Sequence, residues 1–349
     1  MPGERNGKRT GTRSSTAASG AGGDRNIQTS WIDDDIWKVF SLPNKSRLIF
    51  SDTAIQEQFD SQGFVVLPFY DDQAIEKLQR HHDENHPQNE RGFYPSTFSN
   101  DSQYRVDSDA FIRKVASRPI AEYFRDSQTV FGAYIVKWPG PESGMCLHQD
   151  MSLVDESEFV GANIWVPLVD LNIDNGLLYV IPGSHRFLPT YRGSSIPEFF
   201  ANDMDALFDY LIPVPVKAGE AVVFNQSILH FSPPNLSSKP RVVTNIYITH
   251  LETRFRTYYW ESSYGHQVEE FEQSAEFMRD FEQFGVNIRQ RPQVGNSLGM
   301  QPYHFPNLDW KEWDDRFPKT LARKLIKLGQ GGKLGRCWGQ WLLSRGKYA

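Results

Sequence analysis

The chain has 349 residues, 39% hydrophobic and 13% aromatic, with 37 Lys+Arg against 43 Asp+Glu for a net charge of -6. That balance suits a globular protein with one enzyme-sized core and excludes duplex nucleic acid as a partner, which selects a basic surface. Two distant cysteines, Cys146 and Cys337, exclude a disulfide framework and a Cys-based zinc site, and no run of about 18 apolar residues offers a membrane span. With no apolar core of a secretory signal near the N-terminus, a soluble, cytoplasmic protein is expected.

Residues 1–26 are rich in Gly, Ser, Thr and Arg and cannot bury enough apolar surface to offset their ordering entropy, so a disordered tail is expected. From Ile27 aromatics appear. The stretch "FDSQGFVVLPFYDDQAIEKLQRHHDE" reads as a helix end, a turn at Gly63, a strand over Phe64–Phe69 and a helix opening near Asp71 and Asp72. A further helix is expected over Phe111–Phe124, with Phe111, Val115, Ile120 and Phe124 marking its apolar positions.

After residue 130 the period changes to two. "VFGAYIVKW", "GANIWVPLVDL", "GLLYVIPGSH", "EAVVFNQSILHFS" and "RVVTNIYITHL" are short β-branched and aromatic segments separated by turn chemistry. Strands without intervening helices predict an antiparallel barrel or jelly roll extending to residue 255. Residues 186–212 interrupt it as a lid-like, partly helical insert. Beyond 255 the pattern reads as a helical extension, 256–349, ending in a stretch with eight Lys/Arg and no acidic residue after Asp315. There Leu321, Leu325 and Leu328 would share one helix face, with Lys324 and Lys327 off it. This basic end is expected to be a solvated helix, or to dock an acidic partner, such as a carrier protein that delivers a tethered substrate, or a lipid surface.

Within the two-period region "LHQDM" sets His148 and Asp150 two residues apart, on one face if the segment is a strand. Alone, such a pair is more often surface polarity than a site. Downstream, His230 and Ser232 share a face for the same reason, and the turn-rich 233–240 segment folds Arg241 back beside them. One concave surface can then carry all five. Two imidazoles and a carboxylate are the facial ligand set of non-haem Fe(II) oxygenases. A guanidinium aimed inward among Val243, Asn245 and Tyr247 is costly to bury without an anion, and its planar fork matches a carboxylate, with Ser232 adding a hydroxyl donor. 2-Oxoglutarate is the dicarboxylate that would chelate the metal at one end and reach Arg241 at the other.

These residues carry a family resemblance. "FDSQGFVVLPFY", "HQD", Trp165 in the following strand, "NGLLYVIPGSH", and "HFSPPN" followed by Arg241 eleven residues after His230 together resemble the phytanoyl-CoA dioxygenase-like branch of the Fe(II)/2-oxoglutarate oxygenases over roughly residues 59–250. The resemblance implies a mainly β fold with flanking helices around a double-stranded β-helix (cupin-like jelly roll), forming an oxygenase domain over 27–255. It implies His148, Asp150 and His230 as metal ligands and catalytic centre. Arg241 and Ser232 would hold the far carboxylate of 2-oxoglutarate, with Trp165 lining that pocket. Lys137 in "IVKWPG" falls where many relatives carry a lysine, and Gln149 has the parity to point away from the metal. Related halogenases replace the carboxylate with a small residue, so Asp150 favours hydroxylation, with release of succinate and CO2, over halogenation, while desaturation, epoxidation and ring formation stay open.

The expected substrate is small or medium and organic, such as a natural-product intermediate or acyl derivative, with Fe(II), 2-oxoglutarate and O2 as cofactor and cosubstrates. A different class of reading is a metal-binding jelly roll without oxygenase activity, a cupin-like sensor or an isomerase. A pure sensor has no use for an Arg241 and Ser232 anchor. The remaining histidines read differently: His185 in "PGSH" as a tether for the loop after its strand, His250 as a hydrogen-bonded rim residue, and His81, His82, His86, His266 and His304 as structural or solvent-facing. Asn163, Asn225, Asn245 and Tyr247 have the parity to face the interior.

Overall fold

The computed structural model describes residues 47, 49–87, 90–187, 191–277, 279–280, 288–305 and 308–329, all within the unit Val39–Ala349. The N-terminal tail 1–26 and the chain beyond 329 lie outside the described residues. Helix α1 (Thr53–Gln62) starts at Asp52, whose carboxylate accepts from the Ala54 and Ile55 amides, and ends at Gly63 with φ 81°. Gly63 is required twice over: the φ is left-handed, and a Cβ would meet His185 Nδ1 at 2.5 Å. Strand β1 (Phe64–Pro68) follows, then α2 (Asp72–Asn85), capped by Asp71. These match the expected elements.

After β2 (Phe93–Pro95), helix α3 runs Ser102–Tyr123, nine residues longer at its start than the apolar positions foretold. Asp101 sets that start by accepting from the Gln103 and Tyr104 amides. The first turns then bury Tyr104, Arg105, Ser108 and Asp109, polar residues that hide the period. Asp109 accounts for part of this, because it accepts from Gly132 N of the sheet and from Arg113.

The strands that follow are β3 (Ser127–Lys137), β4 (Met145–His148), β5 (Gly161–Pro167), β6 (Leu178–Val180), then helix α4 (Met204–Leu207), β7 (Ile212–Val214), β8 (Glu220–Asn225), β9 (His230–Ser232) and β10 (Arg241–His250). They form two antiparallel sheets, β1-β8-β5-β10-β3-β2 and β4-β9-β6-β7. Successive strands alternate between the sheets from β3 to β6 and again from β7 to β10, which is the winding of a double-stranded β-helix. The expected fold class is therefore observed.

The six-stranded sheet is buried on both sides. Its outward residues, including Tyr134, Ile164, Val166, Val223, Ile246 and Ile248, pack with Phe59, Leu78, Ile112 and Ala116 of the helices. Inward residues alternate with them: Trp165, Val222, Phe224 and Val243 meet Leu178, Val180 and Val214 of the smaller sheet. Asn245 pairs with Trp165 and Tyr247 with Asn163 across β10 and β5, so the inward polar residues of the two strands sit side by side.

The expectation of a wholly helical C-terminal region is corrected. Residues after the barrel form a second antiparallel sheet, β11 (Phe255–Tyr259), β12 (Gln267–Gln273) and β13 (Asn296–Pro302), before helices α5 (Trp310–Arg316) and α6 (Ala322–Gly329). In β12, Val268 and Phe271 lie three apart as in a helix, yet they are buried on opposite faces. Glu269, on the face of Phe271, is buried through a two-point pair with Arg291 at 2.6 and 2.7 Å. A charged residue thus stands where an apolar one would have marked the strand. Among the described side chains of α6, Ala322 and Ile326 are buried, while Leu321 just before it, expected on the apolar face, is 66% exposed; the side chains of Leu325 and Leu328 lie outside the described residues.

Candidate metal centre

His148 ends β4 and His230 opens β9, and the two residues lie directly across from one another in that ladder. Their rings are 4.1 Å apart. Asp150 lies just past the strand end, so its convergence comes from the chain path after β4 and not from strand parity. Its Oδ1 stands 3.6 Å from His148 Nε2 and 3.9 Å from His230 Nε2. One ligand atom from each of the three falls within 4.8 Å of the others, the only such His/Cys/Asp/Glu group among the described residues.

Local hydrogen bonds aim these donors. His148 Nδ1 bonds the Cys146 carbonyl at 2.7 Å and His230 Nδ1 bonds that of Ile228 at 3.0 Å. Each Nδ1 is thereby the protonated nitrogen, and each Nε2 lone pair faces the centre. Burial, with the charge of His148, pushes His230 down to about 4, so it is a neutral ligand at ordinary pH. Burial acts against the ionised form of Asp150 too, but His230, His148 and Arg192 outweigh it and hold the carboxyl below its usual range.

Two further chains fix Asp150. Asn163 Nδ2 donates to Asp150 Oδ2 at 2.7 Å, and Asn245 Nδ2 donates to Asn163 Oδ1 at 2.8 Å. The other chain reaches in from the insert. Arg192 Nε donates to the Asp150 carbonyl at 2.8 Å, and its guanidinium forks onto Glu156, with Nη1 at 2.8 Å from Oε2. Glu156 also accepts from Gln226, whose amide oxygen accepts from the Tyr247 hydroxyl at 2.6 Å and whose backbone carbonyl accepts from Asp150 N at 2.9 Å. Sequence reasoning flagged Asn163, Asn245 and Tyr247 by strand parity but missed Arg192, Glu156 and Gln226, which lie in the insert and in turns where no period exists.

The triad opens into a cavity of about 980 Å³ whose lining also includes Trp165, Ser232, Arg241, Asn245 and Lys137. At its deep end Arg241 is 1% exposed. Its guanidinium lies 5.2 Å from the Trp165 ring, its Nε has no partner among the described residues, and Nη1 reaches only the Gly176 carbonyl, at 3.4 Å. Burial lowers its pKa to about 9. A buried cation this poorly matched by protein is costly to hold, and its planar fork is left without a protein anion.

Beside it across the β3–β10 ladder lies Lys137, fully buried. Its Nζ donates to the Ser232 carbonyl, the Ser232 hydroxyl and the Pro233 carbonyl at 2.6–2.7 Å. Ser232 Oγ in turn donates to the Gly176 carbonyl at 2.8 Å. The hydroxyl proton expected to serve a carboxylate is thus spent on the protein here. Gly176, φ 90°, is the glycine of "NGLLYV": a Cβ would sit 3.0 Å from both Lys137 Cδ and the Pro233 carbonyl.

The other sequence candidates fall away from the metal centre. Gln149 lines the cavity, but its Nε2 is tied to the Ser227 carbonyl at 2.7 Å. Asn225 does not reach the interior; its Oδ1 accepts from Ser227 N and Oγ and caps that turn. His185 Nε2 donates to the Asp60 carbonyl at 3.1 Å, tying the loop after β6 to α1 as a tether would.

The model of the phytanoyl-CoA dioxygenase (PhyH) family matches residues 59–243, more than half of the chain, with His148, Asp150, His230, Ser232 and Arg241 inside the match. The chain belongs to this family. Among similar proteins, a phytanoyl-CoA dioxygenase domain-containing protein 1 of Danio rerio is 32% identical over 127 residues, covering 34% of this chain and 44% of the relative. A phytanoyl-CoA dioxygenase of Arabidopsis thaliana is 30% identical over 124 residues, 33% of this chain and 42% of the relative. The chain spans less than half the length of these relatives. Among solved structures, EvdO2 of Micromonospora carbonacea var. aurantiaca, complexed with 2-oxoglutarate, matches at 20% identity and a TM-score of 0.40 over 57% of this chain and 91% of that one.

Among the described residues no helix of this PhyH-family chain is long and apolar enough to cross a membrane.

Proposed function

We propose that the protein is an Fe(II)/2-oxoglutarate-dependent dioxygenase that hydroxylates a small or medium organic substrate in the cytoplasm, the substrate arriving free or on an acidic carrier protein. The observation that carries this reading is the buried, anion-seeking Arg241 in the same cavity as the His148, Asp150 and His230 donors. The residues fit the group. Two imidazole nitrogens and one carboxylate oxygen, already converged, suit a ferrous ion and leave further positions for a chelating oxo acid and O2. When bound, the iron with 2-oxoglutarate and O2 supplies the oxidation of a C–H bond, with succinate and CO2 released.

The chain's own part is to bind, orient and exclude. Asn163 occupies Asp150 Oδ2 and so presents Oδ1 to the metal. Arg241 would hold the far carboxylate by a charge-assisted pair, with the Trp165 face closing one side of the guanidinium. Lys137 holds the Ser232–Pro233 backbone beside Arg241 and keeps that wall in place. The apolar lining of the cavity limits water at the reacting carbon.

A metal sensor on the same scaffold would have no use for Arg241. Anaerobic addition of Fe(II) and 2-oxoglutarate is expected to give the weak visible absorption of an oxo-acid chelate, and succinate is expected to form in air across a panel of candidate substrates. Absence of the absorption with metal bound would reject the oxygenase reading in favour of a sensor or isomerase.

A further inference from the structure

Above the metal centre the cavity is walled by apolar and aromatic side chains, among them Phe93, Phe131, Tyr191, Phe199, Trp260 and Tyr303. Its charges have unequal partners. Arg192 is committed to Glu156. Glu261, at the rim, accepts from Ser263 Oγ and from the Tyr259 hydroxyl. Asp150 belongs to the metal centre and takes Asn163. Glu198 also lines the cavity; its backbone carbonyl accepts from Ala201 N, while its carboxylate accepts no hydrogen bond from any described residue.

The placement of Glu198 is set by its neighbours in the insert. Ile196 and Phe200 on either side are buried, with Ile196 packed on Tyr258, Val268 and Tyr303 of the C-terminal sheet. That leaves Glu198 exposed to the cavity. Its charge and that of His148 are felt by one another, and Arg289, which lines the same cavity, acts on it as well. Desolvation raises its pKa against the opposing charges of His148 and Arg289, while the residue itself stays exposed.

We propose that Glu198 is the specificity-determining residue of this cavity and that the substrate is an organic cation, a protonated amine on an apolar body. Glu198 takes the ammonium, the aromatic wall takes the body, and the C–H bonds between them lie over the metal centre. Aromatic faces and a carboxylate are the two surfaces that bind an ammonium well in a partly dry cavity, whereas a carboxylate substrate meets like charge. This inference rests on the oxygenase reading for what happens to the bound molecule, but the binding preference stands apart from turnover.

The test uses the full chain loaded with Zn(II) and 2-oxoglutarate, titrated calorimetrically with phenylbutylamine, phenylbutanol and phenylbutyrate. The amine is expected to bind about tenfold or more tightly than either isostere, as a charged hydrogen bond gives. In Glu198→Gln that preference is expected to vanish, while affinity for the alcohol stays within about twofold. No measurable amine binding, equal affinities in the parent, or a preference that survives in Glu198→Gln overturns the proposal. 2-Oxoglutarate binding to the metal-loaded protein, measured in the same series, separates the two readings. Its loss sinks the oxygenase assignment, whereas its presence without an amine preference sinks only the role of Glu198.

Discussion

Asn163 donates its side-chain amide to Oδ2 of Asp150 at 2.7 Å, and is itself held by Asn245 at 2.8 Å. The carboxylate therefore offers one oxygen to the metal centre with the other fixed. Asn163→Ala removes a hydrogen bond to a charged acceptor, of the order of 1.5–3 kcal/mol, and outer partners of this kind tune metal affinity by about 10- to 100-fold. Cobalt titration followed by visible absorbance should show that loss. Asn245→Ala should show a smaller one, because it acts through Asn163. Equal cobalt affinity in all three proteins would mean that Asp150 needs no such support.

For Arg241 the stability cost and the proposed function rest on the same fact. Its guanidinium is buried without a matching anion. Replacement by methionine removes an uncompensated charge at similar volume, so Arg241→Met should unfold at equal or higher temperature than the parent in the absence of cosubstrate. In the metal-loaded parent, 2-oxoglutarate at about 100 times its Kd should add roughly 2.7 kcal/mol and raise the melting temperature. In Arg241→Met the same concentration should add far less. A thermal-shift series in 2-oxoglutarate reads both effects, and an undiminished shift in the variant would disprove the anchor.

The legible part of this protein was the part in which one physical rule acts alone. Between residues 130 and 250 each strand buries an inner and an outer row, and the polar residues breaking the inner row, Asn163, Arg241 and Asn245, stand out against it. The two histidines were legible for the same reason, whereas Asp150 converges only through the chain path beyond β4. Where two rules compete, the pattern fails. Glu269 is buried by its pair with Arg291, and β13 exposes most of its residues at a sheet edge, so neither shows a strand period. Arg192 and Glu198 sit in an insert without periodicity, and only the folded chain brings them to the cavity. Ser232 lines the cavity, but no sequence rule shows that Lys137 and Gly176 already claim its hydroxyl.

Away from the metal centre, α2 and α3 enclose three histidines that must stay uncharged. His82 and His86 are buried and stacked at 4.5 Å, His86 bonds the Tyr104 hydroxyl at 2.8 Å, and His81 stacks on Phe111. Burial lowers all three, His86 to about 3, against some help from Asp83, Glu84 and Asp107. Folded pKa values below the unfolded value of 6.5 mean that the unfolded chain binds more protons in between. Stability from this cluster is therefore complete above 6.5 and falls as pH drops toward 3, by up to about 1.4 kcal/mol per pH unit for each excluded proton. Urea midpoints at pH 7 and pH 5 should differ in the parent and differ less in His86→Phe. An unchanged pH slope in that variant would place the acid sensitivity elsewhere.

Arg192 couples the insert to the metal centre, because its Nε holds the Asp150 carbonyl while its fork holds Glu156, and Glu156 holds Gln226. The pair is nearly dry, with side chains 9% and 11% exposed. Arg192→Leu leaves Glu156 ionised against Gln226 alone, a loss of roughly 3–5 kcal/mol for a broken buried pair. Removing both charges in Arg192→Leu/Glu156→Leu should recover most of that stability, since the desolvation of each ion is relieved together. Metal affinity should not recover with it, because the bond to the Asp150 carbonyl is absent in both variants. Denaturant unfolding beside cobalt titration of the two proteins reads these separately. A double variant that regained cobalt affinity along with stability would show that the insert supports the barrel without positioning Asp150.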